Sequence, residues 1–473
     1  MALASPMAVE TQSDPLLPSN STSIRVAVIG AGASGLVAAR ELRREGHRVV
    51  VYERGSQVGG TWIYTPESEP DPLGLDPERP VVHSSLYMSL RTILPRKSMS
   101  FRDYPFVAEP ADWSVNQRAF PGHAEVLAYL KSFARDFEIE EMVRFDTEVV
   151  KVELVGGGGE EHSGRWKVKS RKTTTATDKI NCSGGGEESD EAFEAVVVCN
   201  GHDTEPRIAE IPGIQRWPGK QIHSHNYRTP EPFKDQVVVL IGSGLSSMDI
   251  SLEIAPISKE VHLAVRDPSK MAMLGQRLGL SNTWLHPTIK HAQEDGAVVF
   301  EDGTSTYADV ILHCTGYKYH FPFLEKDLMV SVDDNRVGPL YKHVFPPILA
   351  PWLSFIGLPS KGVPFPLSEI QSKWVAGVLS GRISLPSVKE MMEDVDTFYA
   401  KLEAAGVPKR HTHVIFTSLV EYNDWLADQC GIPGMDEREK MMLFAAHENF
   451  LARPATFRDE WKGEEEVEKT LFS

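Results

Sequence analysis

The sequence predicts an α/β fold with two dinucleotide-binding, Rossmann-like domains, the second inserted into the first. The main observation is a pattern of strand, glycine turn, helix and strand that occurs twice, at residues 24–53 and again at 236–266. In each copy the glycines stand between a short β-branched apolar run and a helical stretch, as this fold requires. The chain has 473 residues, which is enough for several domains with substantial cores.

The first unit begins with an apolar strand at 24–29 and continues into a glycine turn. The turn contains Gly30, Gly32, Ser34 and Gly35, and a helical stretch and a second strand ending at Glu53 follow it. Glycines permit a tight turn and close approach of the backbone to a pyrophosphate, and the helix N-terminus offers free N–H groups. A carboxylate 23 residues after Gly30 accepts hydrogen bonds from ribose hydroxyls and repels a 2′-phosphate. We therefore expect an FAD-type cofactor here; the alternative is a tight turn without a ligand.

The second unit has the same order of elements but ends in the opposite charge. A strand at 236–241 leads into a turn that contains Gly242, Ser243, Gly244 and Ser246, and Ser247 replaces the last glycine. Arg266 follows 24 residues after Gly242, at the position that Glu53 has in the first unit. An arginine at this point accommodates the 2′-phosphate of NADPH, and Lys270 is placed to assist it. The alternative is a solvated charge at a strand end.

A further glycine pair follows the first unit, in Gly59, Gly60, Thr61 and Trp62. Two consecutive glycines let the backbone lie close to a flat ligand, and a tryptophan can pack beside it. We interpret these residues as part of the FAD site; the alternative is an ordinary loop with a tryptophan in the core.

The remaining segments set the predicted domain order. Residues 1–22 are interpreted as a disordered leader, 23–205 as the first part of the FAD domain and 206–325 as the NADPH domain. Residues 326–473 complete the FAD domain and add C-terminal helices. Alternating patterns at 147–154 and 165–170 predict an antiparallel hairpin, and the low-complexity stretches at 156–159 and 173–190 predict surface excursions. Single buried strands are expected at 193–201 and 306–316, and helices at 368–379, 388–402 and 419–429.

Composition excludes several classes of protein. Lys and Arg number 49 against 66 Asp and Glu, a net charge of −17, which argues against nucleic-acid binding and against anionic membrane surfaces. The four cysteines form no C-x-x-C pair, so neither a disulfide scaffold nor a dithiol reductase nor a Cys-rich zinc module is expected, and the paired histidines suggest no metal. Residues 1–22 lack the basic start of a signal peptide, and the chain has no apolar run of 18 residues. The default location is the cytoplasm.

Three later motifs identify a family. Trp217, Gly219, His223 and Tyr227 follow the pattern F-x-G-x-x-x-H-x-x-x-[YF] with one aromatic exchange, and matching segments occur at 314–323 and 333–343. Together with the two glycine turns and Gly59–Trp62, these motifs make the chain resemble the plant flavin-containing monooxygenases, which are class B flavoprotein monooxygenases. The resemblance extends from about residue 25 to about residue 460 and points to the glucosinolate S-oxygenase-like branch.

The resemblance implies an activity. An enzyme of this family uses FAD, NADPH and O₂ to oxygenate a soft nucleophile in a small-molecule substrate, through a flavin C4a-hydroperoxide. In this branch, thioether sulfur of a methylthioalkyl-glucosinolate-like or related compound becomes a sulfoxide. N-hydroxylation of an amine is the alternative, and substrate identity and oligomeric state stay open. In the family motif, Gly219, His223 and Tyr227 are expected to shape the interdomain turn, and the helix at 368–379 is expected to direct its N-terminus at the flavin.

One departure from the family concerns the active site. The family has an asparagine where this chain has Ile93, and that asparagine is thought to lie beside the flavin. An isoleucine side chain donates no hydrogen bond, so a poorly coupled NADPH oxidase or a non-catalytic dinucleotide-binding protein stays open. A Baeyer–Villiger enzyme is less favoured, because its motif continues into tryptophan where this chain has Tyr227 and Arg228. A disulfide reductase would need the missing cysteine pair.

Overall fold

The computed structural model describes residues 23–77, 79, 82–106, 118–155, 165–173, 187–267, 281–325 and 330–471. Four expectations concern residues outside these ranges: the leader at 1–22, the glycine tract at 156–159, most of the stretch at 173–190, and Lys270.

The described residues form strands and helices whose bounds are as follows. The strands, in chain order, are β1 (Arg25–Ile29), β2 (Arg48–Tyr52), β3 (Val143–Arg144), β4 (Thr147–Val155), β5 (Arg165–Lys172), β6 (Glu188–Phe193), β7 (Ala195–Val198), β8 (Glu205–Pro206), β9 (Lys220–His223), β10 (Val237–Ile241), β11 (Glu260–Ala264), β12 (Thr283–His286), β13 (Ile289–Ala292), β14 (Ala297–Phe300), β15 (Ser305–Tyr307), β16 (Val310–His313), β17 (Tyr317–Lys318), β18 (Ser331–Asp333), β19 (Arg336–Gly338) and β20 (Leu353–Phe355). The helices are α1 (Ala33–Arg44), α2 (Arg96–Met99), α3 (His123–Asp136), α4 (Leu245–Ile254), α5 (Pro364–Leu379), α6 (Val388–Ala404), α7 (Leu419–Cys430), α8 (Glu437–Ala452) and α9 (Gly463–Leu471).

The first parallel sheet combines strands from both ends of the described chain. Its order is β20-β7-β1-β2-β3, and Val26 lies opposite both Val49 of β2 and Ala195 of β7. The central strand β1 is buried on both faces, which accounts for its continuous apolar sequence. Because β20 pairs with β7, the chain returns to this sheet after passing through the second one.

The second parallel sheet has the order β12-β11-β10-β16-β9. All of its strands come from the segment 220–313, between two strands of the first sheet. Val238, Leu240 and Val261 are fully or almost fully buried in its core. The prediction of an α/β fold with one nucleotide-binding unit inside the other is confirmed by this arrangement.

Two single strands of the prediction are split in the structure. The run at 193–201 was expected to be one buried strand, but Phe193 ends β6 in a three-stranded antiparallel sheet, and β7 begins at Ala195 in the parallel sheet. Residues 188–190, at the end of the stretch expected to be a surface excursion, are exposed but form the start of β6. The run at 306–316 likewise divides into β15 and β16. Apolar runs alone do not show where a chain changes from one sheet to another.

The chain crosses between the two sheets twice, and the two crossings pair with each other. β8 on the outward crossing is antiparallel to β17 on the return, with Pro206 opposite Tyr317. The backbone N–H of Arg207 donates to the carbonyl of Gly316 at 2.9 Å. This pairing fixes the two connections side by side.

The late helix α5 begins at Pro364, four residues before the predicted start. Proline at the first helical position is favourable because its missing N–H has no partner there. Trp374 and Val375 of α5 pack in the same core as Leu36 and Val37 of α1. Within the described residues, no helix is both long and apolar enough to span a bilayer.

Candidate active site

The first glycine turn is shaped by close approach of its own backbone. Gly30 has φ +103°, and a Cβ atom there would lie 2.5 Å from the carbonyl oxygen of Cys199. A Cβ atom on Gly35 would overlap the carbonyl oxygen of Gly30. Helix α1 then starts from Gly32 without a side-chain cap and without an acidic residue in its first turn. Its first N–H groups are thus available to an anion, as a pyrophosphate site requires.

The second glycine pair lies against the first turn. A Cβ atom on Gly60 would lie 2.9 Å from the Cα atom of Gly32, and Gly59 donates its N–H to the carbonyl of Ala31 at 3.0 Å. Thr61 and Trp62 continue this short 3₁₀ segment, and the indole of Trp62 contacts Phe365 of α5 edge to face. The structure therefore brings Gly59–Trp62 next to the turn at 30–35, as the sequence predicts.

Ser34 connects α1 to the late helix. Its hydroxyl lies 2.9 Å from the hydroxyl of Ser368 on α5, and a Cβ atom on Gly357 would lie 2.5 Å from the Ser34 Oγ. The start of α5 is thus held beside the start of α1. This placement is compatible with the expectation that α5 directs its N-terminus at a bound flavin.

Glu53 supports the glycine turn from the end of the second strand. Its Oε2 accepts the N–H of Ala31 at 2.8 Å, and its Oε1 accepts the N–H of Gly55 at 2.8 Å. A carboxylate oxygen has more than one acceptor direction, so these bonds leave capacity for ribose hydroxyls.

The second nucleotide turn repeats the first with one exchange. Gly242 has φ +131°, and a Cβ atom there would overlap the carbonyl oxygen of Cys314. Helix α4 starts from Gly244 without a side-chain cap, and a Cβ atom on Gly244 would meet no atom within 4 Å. Ser243 and Ser246 are exposed, whereas Ser247, in place of the last glycine, is buried. The open space above an uncapped helix start fits a pyrophosphate group.

Arg266 lies at the edge of this turn. It follows the end of β11 by two residues, and Gly242 donates its N–H to the carbonyl of Ala264 at 3.0 Å. Its side chain is exposed, and among the described residues no carboxylate lies within ion-pair distance of it. A cation in this position suits a 2′-phosphate.

The residues of the family motif make packing contacts and hydrogen bonds that stabilise the fold. Gly219 lies beneath the Trp217 indole, where a Cβ atom would overlap the ring. His223 is fully buried; its Nδ1 accepts the N–H of His225 at 3.0 Å and its Nε2 lies 3.1 Å from the carbonyl of Gly316. Burial, followed by the nearby His225 and His313, lowers the pKa of His223 to about 3, so the ring is neutral. A neutral, internally bonded imidazole is suited to fixing the turn.

Tyr227 extends this set onto the second unit. Its hydroxyl donates to Glu253 of α4 at 2.8 Å, and its ring packs edge to face on Tyr87. Burial and the adjacent Glu253 carboxylate raise the pKa of Tyr227, so its hydroxyl keeps its proton. The motif thus joins the crossing segment to α4.

A buried polar cluster, not predicted from the sequence, surrounds this motif. His225 and Glu69 are both completely buried, with Nε2 and Oε1 2.7 Å apart. Arg228 donates to five backbone carbonyls, including those of Ser84 and Leu86. These bonds attach residues 67–69 and 84–86 to the crossing segment. The H-S-H-N-Y-R run contained the signal, because a histidine and an arginine beside an apolar motif need partners if they are buried.

Ile93 lies on a segment held by the C-terminal part of the chain. Its side chain is 40% exposed, and the carbonyl of the preceding Thr92 accepts a hydrogen bond from Arg458 at 3.0 Å. Met88, five residues earlier, is 59% exposed. The structure thus leaves an exposed apolar residue where the family has a hydrogen-bonding one.

Elsewhere, three carboxylates cluster around Arg40 of α1. Glu41, Asp103 and Glu369 come together, and Arg40 bonds to all three, at 2.8 Å, 2.8 Å and 3.4 Å respectively. The guanidinium occupies the position that a cation would need. This cluster is therefore an ion-pair network that joins α1 to α5.

Each of the two parallel sheets carries a glycine turn, and the helix that follows each turn has no side-chain cap. Two such turns define a protein with two dinucleotide sites. The family model for flavin-binding monooxygenase-like proteins matches residues 23–281 and 274–436. The chain belongs to this family. It is a flavin-containing monooxygenase, and its cofactors are FAD and NADPH.

Similar proteins are known from plants and bacteria. The chain is 59% identical over 445 residues to flavin-containing monooxygenase FMO GS-OX-like 2 of Arabidopsis thaliana, covering 94% of this chain and 93% of that one. Its structure resembles that of S-allyl-L-cysteine S-oxygenase from Allium sativum with a TM-score of 0.85 and 54% identity, covering 96% and 99% of the two chains. It also resembles Tmm from Pelagibacter sp., with a TM-score of 0.74 and 25% identity over 92% and 93%.

Proposed function

We propose that this monooxygenase converts the thioether sulfur of a small molecule into a sulfoxide. The observation that carries the proposal is the match, over almost the whole of both chains, to a protein whose name is S-allyl-L-cysteine S-oxygenase. A methylthioalkyl compound and an S-alkyl cysteine present the same soft nucleophile. Thioether sulfur is therefore the shared chemistry, and we propose it ahead of amine nitrogen.

In this proposal the protein binds and aligns two cofactors and provides few acid–base groups. The residues that would hold FAD are Gly30, Gly32, Ser34, Gly35, Glu53, Gly59, Gly60, Thr61 and Trp62; those that would hold NADPH are Gly242, Ser243, Gly244, Ser246 and Arg266. When bound, the flavin and the nicotinamide supply the redox chemistry. The chain's part is to orient both groups and to exclude water from the space between the two sheets.

The corresponding division of the chain is also a proposal. Residues 23–205 and 326–473 would form the FAD unit and 206–325 the NADPH unit. The pairing of β20 with β7, and the confinement of the second sheet to 220–313, support these limits.

Substrate oxygenation can be separated from wasteful turnover in one experiment. The FAD-loaded enzyme is incubated with NADPH, O₂ and either S-allyl-L-cysteine, a methylthioalkyl compound or a tertiary amine, and NADPH loss, peroxide and oxygenated product are measured together. We expect sulfoxide from a thioether and little product from the amine. NADPH loss that is matched by peroxide alone would contradict the proposal. It would favour an NADPH oxidase, which is the second candidate function because Ile93 is apolar.

A further inference from the structure

A histidine and an aspartate follow strand β7 of the first sheet and belong to neither nucleotide turn. β7 ends at Val198, and His202 and Asp203 lie just before β8, at the start of the outward crossing. The Nδ1 atom of His202 and the Oδ1 atom of Asp203 are 3.2 Å apart. In parallel sheets, ligands bind in the crevice outside the carboxyl ends of the strands. The pair is therefore placed where a ligand is expected.

The pair is flanked on both sides by loops of the proposed FAD unit. In the sheet, β7 lies between β1, which leads into the first glycine turn, and β20. The carbonyl oxygen of Cys199, three residues before His202, would lie 2.5 Å from a Cβ atom on Gly30. On the other side, the ring centroid of Tyr319 is 5.5 Å from that of His202, and the Tyr319 hydroxyl donates to the carbonyl of Leu358, in the loop after β20. Backbone geometry and ring packing thus hold His202 beside the first glycine turn.

The segment that carries Ile93 reaches the same pair. Ser85 donates its hydroxyl to the carbonyl of Asp203 at 2.6 Å, and Ile93 follows Ser85 by eight residues. Between them, the N–H of Met88 donates to the carbonyl of Arg228 at 2.9 Å, which fixes this part of the backbone. The pair therefore lies between the proposed FAD turn and the Ile93 segment.

The Asp203 carboxylate has capacity for a ligand. Its side chain is 48% exposed and that of His202 is 29% exposed, although the neighbouring Tyr319 and His225 are buried. Within the described ranges, no hydrogen bond reaches its Oδ2 atom, and no lysine or arginine lies within ion-pair distance. Desolvation raises the pKa of Asp203, but His202 and then His225 lower it, and the net shift is downward. The carboxylate is therefore charged at neutral pH.

We propose that Asp203 binds the α-ammonium group of an amino-acid thioether and so selects such substrates over thioethers without a positive charge. The inference rests on the proposed thioether oxygenation and names its substrate class. A carboxylate recognises an ammonium group through charge-assisted hydrogen bonds, and a substrate without that group would leave the carboxylate unpaired. His202 occupies Oδ1, and Oδ2 is left for the ligand. S-alkyl cysteines, such as the one in the name of the Allium sativum relative, are thioethers of this class.

The test is a competition between two thioethers that differ in one group. S-Allyl-L-cysteine carries the ammonium group, whereas 3-(allylthio)propanoate has the same thioether and carboxylate without it. Both are supplied together, at equal concentration, to the FAD-loaded enzyme with NADPH and O₂, and the two sulfoxides are quantified by mass spectrometry at low conversion. Because the substrates compete for the same enzyme, the product ratio equals the ratio of their kcat/KM values. It is independent of the active fraction, of cofactor loading and of peroxide release.

We expect the parent enzyme to form mainly the sulfoxide of S-allyl-L-cysteine, and Asp203→Asn to lower the product ratio about 10- to 100-fold, as for the loss of one charge-assisted hydrogen bond. Asparagine is close to aspartate in size, so the substitution removes the charge with little change of shape. Glu205→Gln is the matched control. It removes a negative charge from the same crossing, but that carboxylate is paired with Arg79 at 3.2 Å, and the product ratio should not change.

Three results would overturn the assignment of Asp203: a product ratio near one in the parent enzyme, an unchanged ratio in Asp203→Asn, or the same fall in Glu205→Gln. The first of these needs no variant, and Asp203→Ser replaces Asp203→Asn if the latter does not fold. Absence of both sulfoxides in the parent enzyme would instead contradict the proposed thioether oxygenation itself.

Discussion

Arg458 binds Asp249 through two parallel hydrogen bonds, Nη1 to Oδ1 at 3.0 Å and Nη2 to Oδ2 at 2.7 Å. Asp249 lies on α4, one turn after the second glycine turn, whereas Arg458 lies near the C-terminal end of the described chain. Tyr87 donates its hydroxyl to the same carboxylate at 2.9 Å. Arg458 also donates to the carbonyls of Arg91 and Thr92. One guanidinium therefore connects the helix of the proposed NADPH unit to the segment that carries Ile93.

Removal of the Asp249 carboxylate should destabilise the protein. The two side chains are only 14% and 12% exposed, so Asp249→Ala leaves a largely buried guanidinium without its counter-charge. We expect the free energy of unfolding to fall by about 3 kcal/mol. Chemical denaturation of the FAD-loaded enzyme measures this change. Glu468→Ala, which breaks an ion pair whose side chains are 49% and 50% exposed, should change little. Equal effects of the two substitutions on the free energy of unfolding would show that the buried Arg458–Asp249 pair stabilises the protein no more than an exposed one.

Local sequence was sufficient to predict the glycine turns and the strands that flank them. Gly30, Gly35 and Gly242 are required by contacts within a few residues or with the adjacent strand, and such contacts leave a recognisable spacing. The Arg458–Asp249 pair could not be predicted, because the two residues are 209 positions apart and neither belongs to a periodic pattern. The change of sheet between Phe193 and Ala195 was missed for a related reason. Phe193, the last residue of β6, is apolar like the residues of β7 that follow it, so only tertiary pairing separates the two strands.

Replacing Ile93 by asparagine should improve the coupling of NADPH consumption to oxygenation. The family has a hydrogen-bond donor at this position, and one neutral hydrogen bond corresponds to about a fivefold change in a rate ratio. The measurement is the ratio of sulfoxide to NADPH consumed, together with peroxide release. Ile93→Val is the matched control, since it keeps an apolar β-branched side chain and should keep the original ratio. If Ile93→Asn leaves the ratio unchanged, the role that we assign to this position is wrong.

The two glycines of the second nucleotide turn should respond differently to alanine. Gly242→Ala forces a side chain into a positive-φ position against the Cys314 carbonyl, and we expect a cost of about 2 kcal/mol or more in stability. Gly244 has φ −85° and open space around it, so Gly244→Ala should fold normally. It should nevertheless weaken NADP⁺ binding, because the added methyl group occupies space proposed for the pyrophosphate. Thermal unfolding and NADP⁺ titration of the FAD-loaded variants separate the two effects. Normal NADP⁺ affinity in Gly244→Ala would place the dinucleotide elsewhere.

Two buried histidines should make the fold sensitive to acid. His313 is fully buried, and its Nδ1 accepts the N–H of Ala209 at 3.3 Å. Its Nε2 lies beside the side-chain oxygen of Gln221. Burial lowers the pKa of His313 to about 4. The pKa of His223 is lowered as well, mainly by burial. In the unfolded chain the pKa of a histidine is about 6.5. Between these pH values the unfolded chain binds the extra proton, so stability is complete above about pH 6.5 and is lost as the pH falls.

The predicted loss is about 1.4 kcal/mol per pH unit for each of these histidines. His313→Gln keeps an amide that can bond to Gln221 but cannot titrate, so the slope of unfolding free energy against pH should decrease by about one proton between pH 4.5 and 6. His320→Gln is the control, because that side chain is 55% exposed and its removal should leave the slope unchanged. Denaturant unfolding at several pH values gives both slopes. Because each variant retains every carboxylate of the parent chain, acid effects from Asp and Glu cancel in the comparison. An unaltered slope in His313→Gln would mean that His313 is charged in the folded protein.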